Sequence, residues 1–292
     1  MSLPVTTELI QRTASALGDG GWRYTPRQLY YATCAAAETP HSRGAANGLL
    51  ALGVLLVLVA FILLRVPVAF VTLLALAGLV LITGAVARFR YRPPSGRVLA
   101  ISYAAFERLL RELMLPALID VGGWRAASLP TTGPVVVCDT DESAAALGAN
   151  SSLAGMEGVG VLGRARAVGL KGRDVVALHD ASPRGCALPL ELSDQGANVL
   201  DAGLRPRWVD GTGFQELEGA PARLPRDLNP AVDDAEVGWL ASGRRVELAV
   251  LRPPRLASLA TAGLDALQQR KAHPDASQAD APGLLPSLPA FP

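Results

Sequence analysis

Lysine, cysteine and histidine are all scarce in this chain of 292 residues. Lysine occurs only at Lys171 and Lys271, so arginine supplies nearly all of the positive charge. The formal net charge of +1 excludes a polybasic chain that binds nucleic acid through its overall charge. The three cysteines, Cys34, Cys138 and Cys186, are widely spaced and form no CxxC pair. Their spacing excludes a dense disulfide framework, argues against a zinc site and favours a reducing compartment.

Two motifs of hydrolytic chemistry are also missing from the sequence. No GxSxG elbow is present to supply a serine nucleophile. His179 directly precedes Asp180, and consecutive side chains of a strand point to opposite faces. A His–Asp relay between these two residues is therefore not expected.

Charge is absent from two long apolar runs that follow each other directly. Residues 45–64 contain twenty residues without a charge, and residues 66–87 add twenty-two more after Arg65. A helix needs about 20 apolar residues to cross the hydrocarbon core of a bilayer. The pattern predicts a two-helix transmembrane hairpin within residues 44–92. Because neither run contains an acid or a histidine, the hairpin would be an anchor rather than a transport pathway.

The distribution of arginines predicts how this hairpin would be oriented. Four arginines precede the first run and four follow the second, whereas the turn contains Arg65 alone. By the positive-inside rule, both flanks then lie in the cytoplasm. The sequence therefore predicts a multi-pass protein of the cell membrane with both termini cytoplasmic and the lipid bilayer as a partner.

The remaining sequence is typical of an α/β protein. Residues 1–43 read as a helical segment, residues 98–271 as a cytoplasmic α/β domain, and the Pro/Ala/Ser-rich residues 272–292 as a disordered tail. Short apolar runs alternate with helix-compatible stretches, which predicts a parallel sheet. These runs are residues 134–139, 158–163, 174–180 and 198–204.

Acidic residues follow two of the predicted strands. Asp139 and Glu142 come after the first run, and Asp180 comes after the third. The carboxyl ends of parallel strands lie at one edge of a sheet, so these acids are candidates to hold Mg²⁺ jointly. The alternative is that the acids after the first run begin a helix, where the helix dipole favours negative charge.

The segment TPRQLYY, residues 25–31, supplies a further candidate. One interpretation is an amphipathic helix with its tyrosines packed on the domain; the other makes a tyrosine a covalent nucleophile. The segment resembles the catalytic-tyrosine segment of the topoisomerase VI A subunit and the meiotic double-strand-break transesterases. VVVCDTDE (residues 135–142) and VALHDASPRG (residues 176–185) resemble the acidic motifs of their Toprim domain.

The resemblance implies a Toprim fold, Mg²⁺ as the cofactor and a role for each matching residue. Tyr31 matches the nucleophile, Asp139 the first acid and Asp180 the first Asp of the second motif. This sequence departs from the family in two places: Asp139 stands where the family has Glu, and Ser182 stands where it has a second Asp. Because Mg²⁺ requires near-ideal octahedral oxygen geometry, these departures predict a degenerate site.

Three functions are compatible with these observations. The first is a two-pass membrane protein whose Toprim-like domain acts by binding DNA or a protein partner. The second is a Mg²⁺-dependent enzyme that cleaves nucleic acid through Tyr31. The third is a structural membrane protein whose α/β domain binds a partner. No basic stripe is evident that could follow the phosphates of a nucleic acid. The nearest candidates for phosphate contacts are Arg27, Arg205 and Arg207.

Overall fold

The structure is a computed structural model that describes most of the chain. The described residues are 5–38, 41–62, 67–90, 99–124, 130, 132–210, 212–221, 223–224, 228 and 232–272. The chain divides into two compact units, one formed by residues 38–94 with residues 1–2, and one by residues 3–37 and 95–292. Each unit is described by itself.

Helices predominate in the described residues. They are α1 (Thr7–Gly18), α2 (Pro26–Ala37), α3 (His41–Ile62), α4 (Pro67–Arg90), α5 (Tyr103–Leu110), α6 (Asp141–Ala149), α7 (Pro183–Cys186), α8 (Leu188–Asp194), α9 (Pro206–Val209), α10 (Asp234–Ala241) and α11 (Pro253–Ala272). The strands are β1 (Val135–Cys138), β2 (Gly160–Gly163), β3 (Asp174–Leu178), β4 (Asn198–Asp201), β5 (Leu217–Glu218) and β6 (Arg244–Arg245).

A four-stranded parallel sheet organises the larger unit. Its strand order is β2-β1-β3-β4, and β1 pairs with β3 in the register Val135↔Val175 to Cys138↔Leu178. The short strands β5 and β6 form a separate antiparallel ribbon. The prediction of an α/β fold with a parallel sheet is therefore confirmed, and each of the four strands lies within one of the predicted apolar runs.

Both faces of this sheet are covered, which explains why its strands read as continuous apolar runs. Val136 and Val176 belong to one core cluster, which includes residues of α6 and α11. Their strand neighbours Val135 and Val175 belong to another, with Leu188 and Leu192 of α8. Residues of opposite parity therefore serve opposite faces, as the pleat of a strand requires.

The N-terminal helices form a third cluster. Ile10 of α1, Tyr31 of α2 and Phe106 of α5 are buried in it together. α1 begins after Thr6, whose hydroxyl accepts a hydrogen bond from the Leu9 N–H at 3.2 Å, and α2 begins at Pro26. The start of α2 contacts the larger core, because the Arg27 N–H donates to Glu142 at 2.9 Å.

The smaller unit consists of α3 and α4, which pack closely against each other. A Cβ added at Gly53 would lie 2.6 Å from the Leu81 side chain, so the two helices approach closely at this glycine. Both helices carry exposed large apolar side chains. These are Leu52, Val54, Leu55, Leu58, Ile62, Val68, Val71, Leu76, Leu79, Ile82 and Val86.

The predicted transmembrane hairpin is wrong for the part of the chain that the structure describes. No helix there is both long enough and apolar enough to cross a bilayer. A crossing requires about 20 predominantly apolar residues. The predictions of a two-pass anchored protein and of localisation in the cell membrane with cytoplasmic termini depend on this hairpin and are corrected with it.

The predicted disordered tail falls almost entirely outside the described residues, which end at residue 272.

Candidate functional site

The carboxyl edge of the sheet brings together two of the predicted acids. β1 and β3 are neighbouring parallel strands, and Asp139 and Asp180 follow them at the same edge. The Asp139 N–H donates to the Leu178 carbonyl at 2.8 Å, which extends the pairing past the end of β1. The proximity of Asp139 contributes to the raised pKa of Asp180. The two predicted acids thus follow neighbouring strands at the same edge of the sheet.

A tight turn after β3 fixes the second acidic segment. Ser182 caps α7, because its hydroxyl accepts a hydrogen bond from the Gly185 N–H at 2.9 Å. A Cβ at Gly185 would lie 2.2 Å from the Asp180 carbonyl oxygen and 3.1 Å from an oxygen of Asp139. Residue 185 must therefore be glycine, because the backbone of the turn passes close to both acids at this position. Ser182, at the position that the resemblance matches to a second Asp, caps this helix.

The surroundings of Asp180 raise the pKa of its carboxyl group. Its Oδ1 accepts a hydrogen bond from the Leu248 N–H at 2.7 Å, and its neighbour Ala181 forms an antiparallel bridge with Val246. Burial raises the pKa of Asp180 to about 7, and the carboxylates of Asp139 and Glu247 add to this effect. Near neutral pH this carboxyl group is therefore only partly ionised.

Asp139 is neutralised by an arginine that the sequence analysis overlooked. Arg164 Nη1 lies 2.8 Å from Asp139 Oδ1 and also donates to the Arg184 carbonyl at 2.8 Å. The same guanidinium forms an ion pair with Glu191. Arg164 follows β2, the neighbour of β1 in the sheet. Adjacent strand ends thus supply the acid and its counter-ion.

The residues present do not fit a Mg²⁺ site. Asp139 pairs with Arg164, Asp180 accepts the Leu248 N–H at 2.7 Å, and Glu142 accepts the Arg27 N–H at 2.9 Å. Within the described ranges, no three His, Cys, Asp or Glu side chains are arranged to hold a metal ion. Mg²⁺ requires oxygen ligands in near-ideal octahedral geometry.

Tyr31, the predicted nucleophile, is only 1% exposed. Its hydroxyl lies beside the Glu247 carboxylate but makes no hydrogen bond of normal geometry with any described residue. Burial raises its pKa far above the ordinary value of 10, and Glu247 raises it further. An activated nucleophile needs the opposite shift and access to its substrate. The geometry thus favours the interpretation of a packed tyrosine.

Replacing Tyr31 with Phe is expected to leave the free energy of unfolding unchanged or raise it by up to about 1 kcal/mol, because an unpartnered buried hydroxyl is removed. Tyr30 provides the matched control: it is also buried, but its hydroxyl donates to the Ile101 carbonyl at 2.8 Å. Tyr30→Phe should cost about 1 kcal/mol. Urea unfolding of both variants measures the difference, and a larger loss for Tyr31→Phe would contradict this assignment.

The three arginines predicted to contact nucleic acid are all engaged with acids. Arg27 Nη1 lies 2.8 Å from Glu247 Oε2. Arg205 Nη2 lies 2.7 Å from Glu236 Oε2, and Arg207 Nε lies 3.8 Å from the other oxygen of Glu236. The structure thus gives these arginines roles in structural ion pairs. Arg27 alone of the three lines a cavity at the carboxyl edge of the sheet.

A cleft of about 800 Å³ lies at this edge. It contains the two acids of the sheet, and its wall includes Arg184, Arg244 and Arg245. Arg244 pairs with Glu216 at 2.8 Å and with Asp210 at 2.9 Å. Arg184 and Arg245 are exposed, and neither forms an ion pair with a described residue. Two features of the sequence could have indicated this wall. One is Arg184, which follows Pro183, and the other is the doublet of Arg244 and Arg245.

Backbone also contributes to the wall of the cleft. Gly219 donates its N–H to the Gly243 carbonyl at 2.9 Å, and both glycines line the cavity. Gly243 has a φ of +86°, and a Cβ there would lie 2.4 Å from the Gly219 carbonyl oxygen. The two backbone segments of the β5–β6 ribbon therefore approach each other closely at these glycines. Because glycine has no side chain, this part of the wall consists of backbone.

A smaller recess of about 250 Å³ lies beside the cleft and shares several of its lining residues. The shared residues are Arg27, Thr140, Asp180 and Glu247. Glu142 lines the recess but not the cleft, and burial raises the pKa of its carboxyl group above the ordinary value. The third predicted metal ligand is thus turned towards α2 instead of towards the cleft.

His179 pairs with an acid that the sequence analysis did not identify. Its Nε2 lies 2.9 Å from Asp201 Oδ1, and its Nδ1 lies 2.9 Å from the Asp180 carbonyl oxygen. Because both ring nitrogens face acceptors, the geometry favours the doubly protonated imidazolium form of the ring. Burial opposes this charge, but the Asp201 carboxylate outweighs it and raises the pKa of His179 well above 6.5.

Comparison with protein-family models, with characterised proteins and with solved structures finds no match to this chain. The Toprim resemblance therefore stays a prediction that depends on the residues quoted above.

Proposed function

We propose that this chain is a Toprim-like protein that binds nucleic acid in the cleft at the carboxyl edge of its sheet and does not cleave it. The observation that carries the proposal is the pair Arg184 and Arg245. Both are exposed, line the same cleft and are without an ion pair among the described residues. Guanidinium groups bind phosphate bidentately, and unpaired ones do so without first losing an internal partner.

The position and size of the cleft support a polymeric anion as the ligand. Open parallel α/β sheets bind ligands beyond the carboxyl ends of their strands, which is where this cleft lies. Its volume of about 800 Å³ exceeds what a single phosphate group requires. Glycine backbone at residues 219 and 243 allows a sugar–phosphate chain to approach closely.

The state of the predicted catalytic groups opposes cleavage. Tyr31 is buried with a raised pKa, and Asp139 is neutralised by Arg164. Each of these arrangements opposes the chemistry that the family resemblance implies. We therefore expect neither strand breaks nor a covalent protein–nucleic-acid adduct in the presence of Mg²⁺.

The test is the affinity of the full-length chain for a fluorescein-labelled 20-nucleotide single strand, measured by fluorescence anisotropy. The Arg184→Gln/Arg245→Gln double variant should bind about tenfold more weakly, a loss of about 1.4 kcal/mol. Arg12→Gln/Arg111→Gln removes the same charge from exposed residues outside the cleft and should bind like the wild type.

Two outcomes would overturn the proposal. Equal losses in both double variants would show that binding follows net charge instead of the cleft. Strand breaks in the same samples, abolished by Tyr31→Phe, would restore the enzymatic alternative. The wild-type chain should leave the oligonucleotide intact on a denaturing gel.

A further inference from the structure

The guanidinium group of Arg164 joins three segments at the carboxyl edge of the sheet. Its Nη1 donates to Asp139 Oδ1, after β1, and to the carbonyl of Arg184 in α7, each at 2.8 Å. Its Nε donates to Glu191 Oε2 in α8 at 3.0 Å, and its Nη2 bonds the other oxygen of Glu191. The Arg164 side chain is 14% exposed. A largely buried fork of donors therefore ties α7 and α8 to the ends of the strands.

The short helix α7 depends on bonds from outside it. It contains only the residues Pro183–Cys186, a single turn, and so short a helix is not stable by itself. Ser182 satisfies its amino end by accepting the Gly185 N–H at 2.9 Å. The last carbonyls of a helix also lack partners within it, and Arg164 supplies one at Arg184. This bond fixes the backbone of an arginine that lines the cleft.

The other cleft arginine of the proposed pair, Arg245, is held by different bonds. It precedes Val246, whose N–H donates to the Ala181 carbonyl at 3.0 Å, and the Ala181 N–H donates to the Val246 carbonyl at 2.9 Å. The Leu248 N–H donates to Asp180 Oδ1 at 2.7 Å. None of these three bonds involves Arg164. A change at Arg164 should therefore act on Arg184 and leave Arg245 in place.

The three acceptors around Arg164 require the planar shape of a guanidinium group. Arginine presents five N–H donors in a rigid fork, whereas the ammonium group of lysine is a compact point charge on a flexible stem. Lysine at this position would keep a positive charge beside Asp139, whose side chain is 6% exposed. It would not hold Asp139, Arg184 and Glu191 in one fixed plane. Arg164→Lys therefore separates the effect of position from the effect of charge.

We propose that Arg164 is a positioning residue for the nucleic-acid binding proposed above, on which this role rests. It holds the backbone at Arg184 so that the Arg184 guanidinium can bind a phosphate group in the cleft. Arg164 also lines the cleft, but four hydrogen bonds already engage its N–H groups. A phosphate would have to break these bonds to reach it, so Arg164 acts through Arg184.

The test is fluorescence anisotropy of the labelled single strand with Arg164→Lys in three backgrounds of the full-length chain. In the otherwise wild-type chain, the substitution should weaken binding about threefold, which is the share of one arginine in the tenfold loss expected for the pair. In the Arg184→Gln background it should cause no further loss. In the Arg245→Gln background it should again cause about a threefold loss. Net charge is the same on both sides of each comparison.

Arg173→Lys is the matched control. Arg173 also donates to backbone carbonyls, those of Pro130 at 3.0 Å and Gly133 at 2.9 Å. It directly precedes β3, at the opposite edge of the sheet, and does not line the cleft. The same substitution there should leave oligonucleotide affinity unchanged. Urea unfolding of both lysine variants shows whether each remains folded in the binding assay.

Glu191→Gln is a second variant that keeps the proposal testable if Arg164→Lys does not fold. The Glu191 side chain is 47% exposed, so its ion pair contributes little to stability. The substitution weakens the hold on Arg164 and adds one positive charge to the net charge. A positioning role predicts weaker oligonucleotide binding, whereas an effect of charge predicts tighter binding.

Three results would contradict the positioning role. They are equal losses from Arg164→Lys in the Arg184→Gln and Arg245→Gln backgrounds, wild-type affinity in Arg164→Lys alone, and tighter binding by Glu191→Gln. Failure of the proposed function looks different: Arg184→Gln and Arg245→Gln would then leave the affinity unchanged, and both proposals would be rejected. If these two variants weaken binding and Arg164→Lys does not, the positioning role alone is rejected.

Discussion

Replacing Asp201 with Asn is expected to lower the free energy of unfolding by about 3 kcal/mol at pH 5.5. His179 is 1% exposed, and the Asp201 carboxylate is its only acidic hydrogen-bond partner among the described residues. The amide of asparagine can still accept the Nε2 hydrogen bond, but it removes the charge that offsets burial of the imidazolium. Breaking one side of a buried ion pair leaves the other charge uncompensated.

The pH dependence of this loss follows from the pKa directions of the two partners. His179 has a pKa raised above 6.5, so its contribution is complete below pH 6.5 and disappears as the pH rises through the folded-state value. The pKa of Asp201 is lowered from 3.8: burial opposes this shift, but the His179 cation outweighs burial. Its contribution is complete above pH 3.8 and is lost in acid. The free energy of unfolding of the wild type should therefore exceed that of the variant by the largest amount between about pH 4 and 6.5.

Chemical unfolding at pH 5.5 and at pH 9 measures this effect, with Asp174→Asn as the control. Asp174 begins β3 and pairs with Lys271, whose side chain is 57% exposed. A pair in contact with solvent contributes little, so the control should cost less than about 1 kcal/mol. Equal losses for the two variants, or a loss for Asp201→Asn that grows with pH, would contradict the assigned imidazolium.

Replacing Gly185 with Ala is expected to cost about 2 kcal/mol or more, because overpacking of a fixed turn is relieved only by moving backbone. The new Cβ would lie 2.2 Å from the Asp180 carbonyl oxygen and 3.0 Å from Ser182 Oγ. The turn must open, and opening it displaces Arg184, the preceding residue. We therefore expect oligonucleotide binding to weaken together with stability.

Gly238→Ala provides the matched control for this substitution. Gly238 lies inside α10, and a Cβ there would meet nothing within 4 Å. Alanine should raise the free energy of unfolding by about 0.5–1 kcal/mol, because it is the better helix former. Thermal unfolding of both variants gives the comparison. Equal effects in the two variants would show that the contact with Asp180 does not constrain the turn.

The sheet could be predicted from the sequence because its strands are local patterns. Each buried strand appears as a short apolar run, and the parallel arrangement follows from the helix-compatible stretches between the runs. The same argument placed Asp139 and Asp180 at one edge. The apolar runs at residues 45–64 and 66–87 are equally strong local signals. They predicted membrane-spanning helices, but none of the described helices meets the requirements of length and apolarity for a crossing.

The partners of the site residues could not be predicted because they come from distant parts of the chain. Arg164 neutralises Asp139 from 25 residues away, and Glu247 bonds Arg27 from 220 residues away. No local pattern encodes such pairs, since they depend on the packing of α2 against residues 247–251. Tyr31 illustrates the consequence: its sequence neighbourhood matches a catalytic segment, but its surroundings bury the hydroxyl.

The dependence of oligonucleotide affinity on salt tests the central claim most directly. For a single strand, the logarithm of the binding constant falls with the logarithm of salt concentration with a slope of about −0.7 per phosphate contacted. If Arg184 and Arg245 each bind one phosphate, the slope for Arg184→Gln/Arg245→Gln should be shallower than the wild-type slope by about 1.4. Parallel lines for the two proteins would contradict nucleic-acid binding in this cleft.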